Sequence, residues 1–426
     1  MKPLQIKPVK RLSGEIILPG DKSISHRAIM LGAIAEGKTL ARGVLDCDDC
    51  NYTIRAFRDM GVGIDQSGYE TTIYGVGLRG LKRPPGPINI GNSGTSMRIL
   101  AGVLAGQGFD ATLTGDEGLS KRPMARIVDP LMMMGVDIKA RPDGLPPIRI
   151  NGGAVKPIDY KMPIPSAQIK SAILFAGLYA PGRTIVEESA KSRDHTERMM
   201  KHFGAKLKVD ALKVILDGPS ELSGKEIDIP GDISSASFFI AAAILLHNSK
   251  IRINKVSINP TRAGIINILL RMGVRLKIVN TVDAFEPYGD IEAESAPLRG
   301  ITIDREDIPG IIDELPIIFV LASLAKGRTV INGVEELKFK ETDRIASMKE
   351  NLEKMGGKIS VEKDTITIEG VERLKGASLE SFGDHRTVMA MAIAALTAEG
   401  ASSIDDAGCV DKSLPEFFKI LETIKC

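Results

Sequence analysis

The chain has 426 residues, 43% hydrophobic and 26% charged, enough for two or three domains around large cores. Its 56 basic and 54 acidic residues leave a net charge of +2. That excludes a general nucleic-acid or membrane surface, either of which would want a basic excess. With 4% aromatics and no Trp, any anion site must be a local concentration of Lys and Arg.

The first stretch, MKPLQIKPVKRLSG, has no apolar h-region and predicts no signal peptide. The most apolar runs, ASFFIAAAILL (236–246) and PIIFVLASLA (316–325), are too short to span a bilayer. The expectation is a cytoplasmic protein.

From residue 21 onward one pattern recurs with a period of roughly 70 residues. A polar start leads into a small-residue apolar helix, then a turn, a β-like stretch and a second helix. The six helix starts are DKSISHRAIMLGAIAEG, NSGTSMRILAGVLAGQG, SAQIKSAILFAGLYAPG, DISSASFFIAAAILLHN, DELPIIFVLASLAKG and DHRTVMAMAIAALTAEG. The second helices end at Met60-Gly61, Met134-Gly135, Phe203-Gly204, Met272-Gly273, Met355-Gly356 and the C-terminus. RTIVEE, KIRINKV, RTVINGV and KISVEKDTITIEG read as half-buried strands. The prediction is an α/β protein of six repeated units in two lobes of three. Pro19-Gly20 and Pro230-Gly231 mark two crossovers. Residues 20–231 would form an N-terminal lobe, and 1–19 plus 232–426 a C-terminal lobe. Two linking strands predict a hinge around a cleft that holds the active site.

The unusual residues sit at the helix starts. Unit one offers Lys22, Ser23 and Arg27; unit two Asn92, Gly94, Thr95 and Arg98; unit three Ser166, Gln168 and Lys170; unit six His385 and Arg386. Helix N-termini present unpaired N–H groups and partial positive charge, so they bind anions. Glycines in GNSGTSMR (91–98) cost helix stability, which implies that something approaches this backbone closely. Lys170 is expected to be an ordinary helix-surface charge. Further cations follow the strands: Lys121-Arg122, Arg193, Lys340, Arg344 and Lys412. Arg suits bidentate contact with carboxylate or phosphate. Asp313, expected to begin the fifth helix, and Glu341, set between Lys340 and Arg344, are acids among cations. The bland readings are an N-cap for Asp313 and a surface ion pair for Glu341; the sharper one is proton transfer. Cys47 and Cys50 form CDDC without a second pair to complete a zinc site, so ordinary free thiols and no bound metal are expected.

PGDKSISHRA, GNSGTSMR, LSKRPM, SAQIKSA, SRDHTE, KETDR, GDHR and SLPEF, in this order through nearly the whole chain, resemble the 5-enolpyruvylshikimate-3-phosphate synthase family. GDKS, SAQIK, RDHTE and NPTR (259–262) resemble its class II subgroup, often insensitive to glyphosate. The resemblance implies the two-lobe inside-out α/β barrel of the enolpyruvyl transferases. It implies transfer of the enolpyruvyl group of phosphoenolpyruvate to shikimate 3-phosphate, with phosphate released, in the shikimate pathway to chorismate and the aromatic amino acids. Carried over residue by residue, shikimate 3-phosphate would meet Lys22, Ser23, Arg27, Ser166, Ala167, Gln168, Arg193, Asp313 and Lys340. Phosphoenolpyruvate would meet Lys22, Gly94, Arg122, Gln168, Arg344, Arg386 and Lys412. Asp313 would take the proton of the 5-hydroxyl, with Lys22 close by, and Glu341 would serve the methylene carbon. No cofactor, nucleic acid or membrane partner is implied, and a monomer is expected. Glyphosate is a candidate inhibitor: some insensitive members carry Ala where Gly94 stands here.

The rival within the same fold is UDP-N-acetylglucosamine enolpyruvyl transferase. Its members usually carry a reactive Cys in a first-lobe loop, and residues 108–126 contain none. A nucleic-acid-binding repeat protein would need a basic, aromatic-bearing face, which the composition opposes.

Overall fold

The computed structural model describes residues 3–426. Two compact units emerge from the packing. One is Pro19–Ile229; the other joins the chain up to Leu18 with Pro230–Cys426.

Within Pro19–Ile229 three helices, Lys22–Ile34, Gly94–Ala105 and Ala167–Gly177, are buried almost from end to end. Their counterparts in the other unit are Ile233–Leu245, Leu315–Ser323 and His385–Thr397. Each is small and aliphatic on all sides, the composition of a helix with no solvent face. Helices of each set pack on one another. The contact is close where residues are small: a Cβ on Gly102 would stand 2.2 Å from the Ala172 carbonyl oxygen.

Five of the six repeats share one topology, and the sixth has a three-stranded sheet without the hairpin. A short strand pairs parallel with the strand after the buried helix, which pairs antiparallel with the last strand of a hairpin. In the third repeat, Asp159–Lys161 runs parallel to Gly182–Glu187, Gly182–Glu187 antiparallel to Lys213–Gly218, and Leu207–Asp210 completes the sheet. Three repeats borrow strands from distant sequence. Ser13–Ile17 lies parallel to Lys250–Ser257, and Glu226–Asp228 parallel to Glu36–Arg42. Leu4–Ile6 lies antiparallel to Ser402–Ile404. Glycine closes several repeats at one point. At Gly75, Gly152 and Gly218 a Cβ would come within 2.5 Å of carbonyl oxygens at the end of the buried helix. In these three repeats the sheet therefore lies directly against its helix terminus.

That arrangement fixes where the polar helix starts go. Five of the six buried helices carry a side-chain N-cap: Asp21, Ser93, Ser166, Asp232 and Asp384. The exception is Leu315–Ser323, which starts two residues later than GIIDELP suggests; Asp313 stands before it, after the short helix Ile308–Ile311. Among the described residues no helix is long and apolar enough to cross a membrane.

Candidate active site

In the Pro19–Ile229 unit the predicted residues gather at the starts of the three buried helices. Lys22 opens the first, and its ammonium lies 3.0 Å from Asp49. Asp21 caps the same turn through Ile24 N–H. The Ser23 carbonyl accepts from Arg27, whose guanidinium is buried and also donates to Thr196 and Ser171 hydroxyls at 2.6 and 2.9 Å. Arg27 therefore ties together helices of the first and third repeats.

Gly94 is the first residue of its helix, after Ser93, whose hydroxyl accepts from Ser96 N–H. Two guanidiniums cover it. A Cβ there would lie 2.9 Å from both Arg98 Nη1 and Arg122 Nη1. Arg122 donates to the Asn92 carbonyl, and Asn92 bonds Asp116. Arg98 donates to Gln168 Oε1 at 2.8 Å and to the Pro123 carbonyl, and Gln168 donates to the Thr95 hydroxyl at 3.1 Å. Gly94, Thr95, Arg98, Arg122 and Gln168 thus form one cluster. Ser166 caps the third helix, and the Ala167 carbonyl accepts from Ser171. Arg193 stands half-buried in the segment before the helix His195–His202.

Beneath this cluster runs a buried hydroxyl chain. Ser93 contacts Ser96, Ser96 contacts Thr53, and Thr53 contacts His26 Nδ1, at 2.7, 2.7 and 2.8 Å. Burial, with Lys22 and Arg27 nearby, lowers the His26 pKa to about 3, so the ring is neutral. Cys47 and Cys50 are buried free thiols. Burial pushes Cys50 well up, whereas the Cys50 thiol beside it pulls Cys47 down.

Lys170 overturns its expectation. It has no exposed surface, and its ammonium lies 2.9 Å from Glu188 and 2.7 Å from Glu197, both also buried. The apolar helix around it has no solvent face for a charge to occupy, a fact that charge counting cannot register.

In the other unit Arg344 is the centre. Its guanidinium, 1% exposed, reaches Asp384 at 2.8 Å, Glu341 at 2.5 Å and Asp313 at 3.4 Å. Burial alone would pull its pKa down, but Asp384, Glu341 and Asp313 outweigh it and hold the group charged. Arg386 donates to the Asp313 carbonyl at 2.9 Å and to the Ser234 hydroxyl, and lies 3.7 Å from the Asp313 carboxylate. Arg262 pairs with Glu314 at 2.8 Å and Asp232 at 3.4 Å, all three buried. Lys412 donates to the Gly383 carbonyl, just ahead of Asp384. Lys340 follows the 3-10 turn Glu335–Phe339 and is half-buried. The structure thus brings together Asp313, Glu341, Arg344 and Arg386, with Lys412 one strand of backbone away.

Several residues here escaped sequence reasoning. Asp49 lies inside CDDC, a run whose spacing signals only its cysteines. Asp384 precedes the sixth helix as a cap and doubles as an Arg344 partner. Arg98 stood at a helix start without a role. Arg262, Glu314 and Asp232 are far apart in sequence and carried no shared signal. Among the described residues no group of three His, Cys, Asp or Glu side chains is placed to hold a metal ion.

A family model described as EPSP synthase (3-phosphoshikimate 1-carboxyvinyltransferase) matches residues 6–421. A curated 3-phosphoshikimate 1-carboxyvinyltransferase of Geobacter metallireducens is 48% identical over 426 residues, covering 100% of this chain and 99% of its own. One from Bacillus cytotoxicus is 48% identical over 421 residues, covering 98% and 99%. Among solved structures, EPSP synthase from Acinetobacter baumannii superposes with a TM-score of 0.89 at 43% identity, over 100% of this chain and 98% of that one. The enolpyruvyl transferase NikO from Streptomyces tendae superposes at 0.81 with 18% identity, over 99% and 97%, a likeness of fold.

Proposed function

The chain belongs to the EPSP synthase family, and from that premise we propose that it transfers the enolpyruvyl group of phosphoenolpyruvate to the 5-hydroxyl of shikimate 3-phosphate. It is a transferase, a 3-phosphoshikimate 1-carboxyvinyltransferase, in the shikimate pathway to the aromatic amino acids. The observation that carries the reading is Gly94. A helix start without a side chain, overlaid by the guanidiniums of Arg98 and Arg122, is a receptor for a compact, multiply charged anion. Phosphoenolpyruvate carries a phosphate and a carboxylate on one carbon, C2.

The residues divide as follows. Lys22, Gly94, Arg122 and Gln168, with Arg344, Arg386 and Lys412, hold phosphoenolpyruvate. Lys22, Ser23, Arg27, Ser166, Ala167, Gln168 and Arg193, with Asp313 and Lys340, hold shikimate 3-phosphate. Asp313 takes the proton of the 5-hydroxyl as its oxygen bonds to C2 of phosphoenolpyruvate, and Glu341 delivers a proton to C3. The tetrahedral adduct then expels phosphate, which Lys412 protonates, while Glu341 takes a proton back from C3. Arg344 suits this division of labour. One guanidinium spans both acids, so the two carboxyl groups are held in place while their proton traffic changes. The fixed cations offset the charge that develops on the phosphate. These steps need only acids, bases and cations of the chain itself. We place the enzyme in the cytoplasm, acting as a monomer.

Phosphate release from phosphoenolpyruvate tests this directly. Release with shikimate 3-phosphate as acceptor, and none with UDP-N-acetylglucosamine, is the expected result. The reverse preference would overturn the reading.

A further inference from the structure

Two adjacent residues of the helix Ala167–Gly177 face two adjacent residues of the helix His195–His202, forming a ladder of two polar rungs. In the first rung Ser171 meets Thr196, hydroxyl to hydroxyl, at 2.6 Å, with Arg27 bonded to both. In the second, Lys170 meets Glu197 at 2.7 Å, and Glu188 backs the same ammonium at 2.9 Å. The lysine and both carboxylates are buried. Side chains of this kind are rarely buried unless paired, and well-packed apolar residues in their place are often neutral or stabilising. Stability alone therefore does not account for the cluster.

Geometry does. Glu188 begins the irregular segment between the strand Gly182–Glu187 and the helix at His195. One oxygen of its carboxylate contacts Lys170; the other accepts from both the backbone N–H and the hydroxyl of Ser192. Ser192 is the residue before Arg193. Lys170 stands two residues after Gln168, so the same ammonium links the helix start that carries Ser166–Gln168 to the segment that carries Arg193. Nothing in the reaction uses Lys170 itself, since it has no exposed surface.

We propose that Lys170 is a positioning residue that sets Arg193 for shikimate 3-phosphate, acting through Glu188 and Ser192. This rests on the reading of Arg193 as a ligand of that substrate. The charge triad holds the segment at one distance from the helix start, so the two sides of the phosphate site keep a fixed separation. Lys191, which also lies 3.7 Å from the Glu188 carboxylate, belongs to the same segment, so loss of the Lys170 ammonium unties that segment from the helix start and lets it drift, with its effect confined to one substrate.

The test uses the full chain and steady-state phosphate release. Lys170→Met is measured alone, and Lys170→Met/Glu188→Leu/Glu197→Leu guards against a variant that fails to fold because two carboxylates are stranded. Each is also made in an Arg193→Ala background. The Michaelis constant for shikimate 3-phosphate should rise about tenfold in the folded variants, that for phosphoenolpyruvate and kcat should change less than about twofold, and the rise should vanish when Arg193 is already Ala. Equal rises for both substrates, or a rise that persists in full without Arg193, would overturn the proposal. So would wild-type constants in the folded variants while Arg193→Ala alone weakens shikimate 3-phosphate. If Arg193→Ala alone changes nothing, the reading of Arg193 falls and takes this inference with it.

Discussion

Arg122 occupies the space that a side chain on Gly94 would need: a Cβ there would stand 2.9 Å from Nη1 of that guanidinium, and equally close to Arg98. Glycine at position 94 is thus a condition for two arginines to lie over the helix start. Gly94→Ala should push both guanidinium ends aside, which flexible side chains can do at moderate cost. Overpacking a fitted site costs roughly 1–3 kcal/mol, about 5- to 150-fold in affinity. Both phosphoenolpyruvate and glyphosate should bind more weakly. Glyphosate is the longer of the two, so its inhibition constant should rise more than the substrate's Michaelis constant. Kinetics on the alanine variant decide this; unchanged constants would mean that no ligand sees these arginines.

Arg122→Ala removes one of the two guanidiniums and leaves the Gly94 backbone bare. The loss of one buried charge-assisted contact should cost roughly 2–5 kcal/mol, and it should fall on phosphoenolpyruvate. Binding of shikimate 3-phosphate alone, followed by titration calorimetry, should stay near wild type. Equal losses for both ligands would show that the two sets of residues are divided wrongly.

His26 makes the Pro19–Ile229 unit acid-sensitive. Its pKa lies at about 3 in the folded chain, against 6.5 for a solvated imidazole. The unfolded chain therefore binds the proton first. Stability is complete above pH 6.5 and is lost as the pH falls from 6.5 toward 3. At pH 5 the loss should be about 2 kcal/mol. Asn at position 26 offers both a donor and an acceptor to Thr53 and cannot titrate, so His26→Asn should flatten the slope between pH 7 and pH 5 in denaturant melts. An equal slope in both proteins would mean that His26 is hydrated and charges freely.

The repeats were legible because each buried helix is small and largely apolar, and five of the six begin with a capping residue. The cations at the helix starts were legible for the same reason, since no core residue explains them. What the sequence hid were long-range pairs. Lys170 reads as a surface charge until Glu188 and Glu197 are seen folded against it. Arg262 reads only as the last residue of NPTR until Glu314 and Asp232 surround it. Arg98 gains its place in the site only when Gln168, 70 residues away, accepts a hydrogen bond from it. Such pairs leave no periodicity, because a buried charge is decided by which distant segment packs over it.

The four cysteines should separate cleanly by reactivity. Only a thiolate reacts, so both exposure and acidity count. Cys426 is exposed, whereas Cys47, Cys50 and Cys409 are buried. Burial, reinforced by Asp406, pushes Cys409 up to about 12, and burial raises Cys50 further from reactivity. Cys47 is the informative one: the neighbouring Cys50 thiol and the Lys22 charge both favour its thiolate, yet only 2% of the residue is exposed. If access governs, an aromatic disulfide reagent at pH 8 should release one equivalent of chromophore quickly, from Cys426, and the rest only in denaturant. Turnover should survive that first equivalent, and Cys47→Ser should leave it intact, because the pair lies outside the substrate ligands. A second fast equivalent, absent in Cys47→Ser and accompanied by loss of activity, would show instead that the segment beside Lys22 opens often enough for acidity to decide.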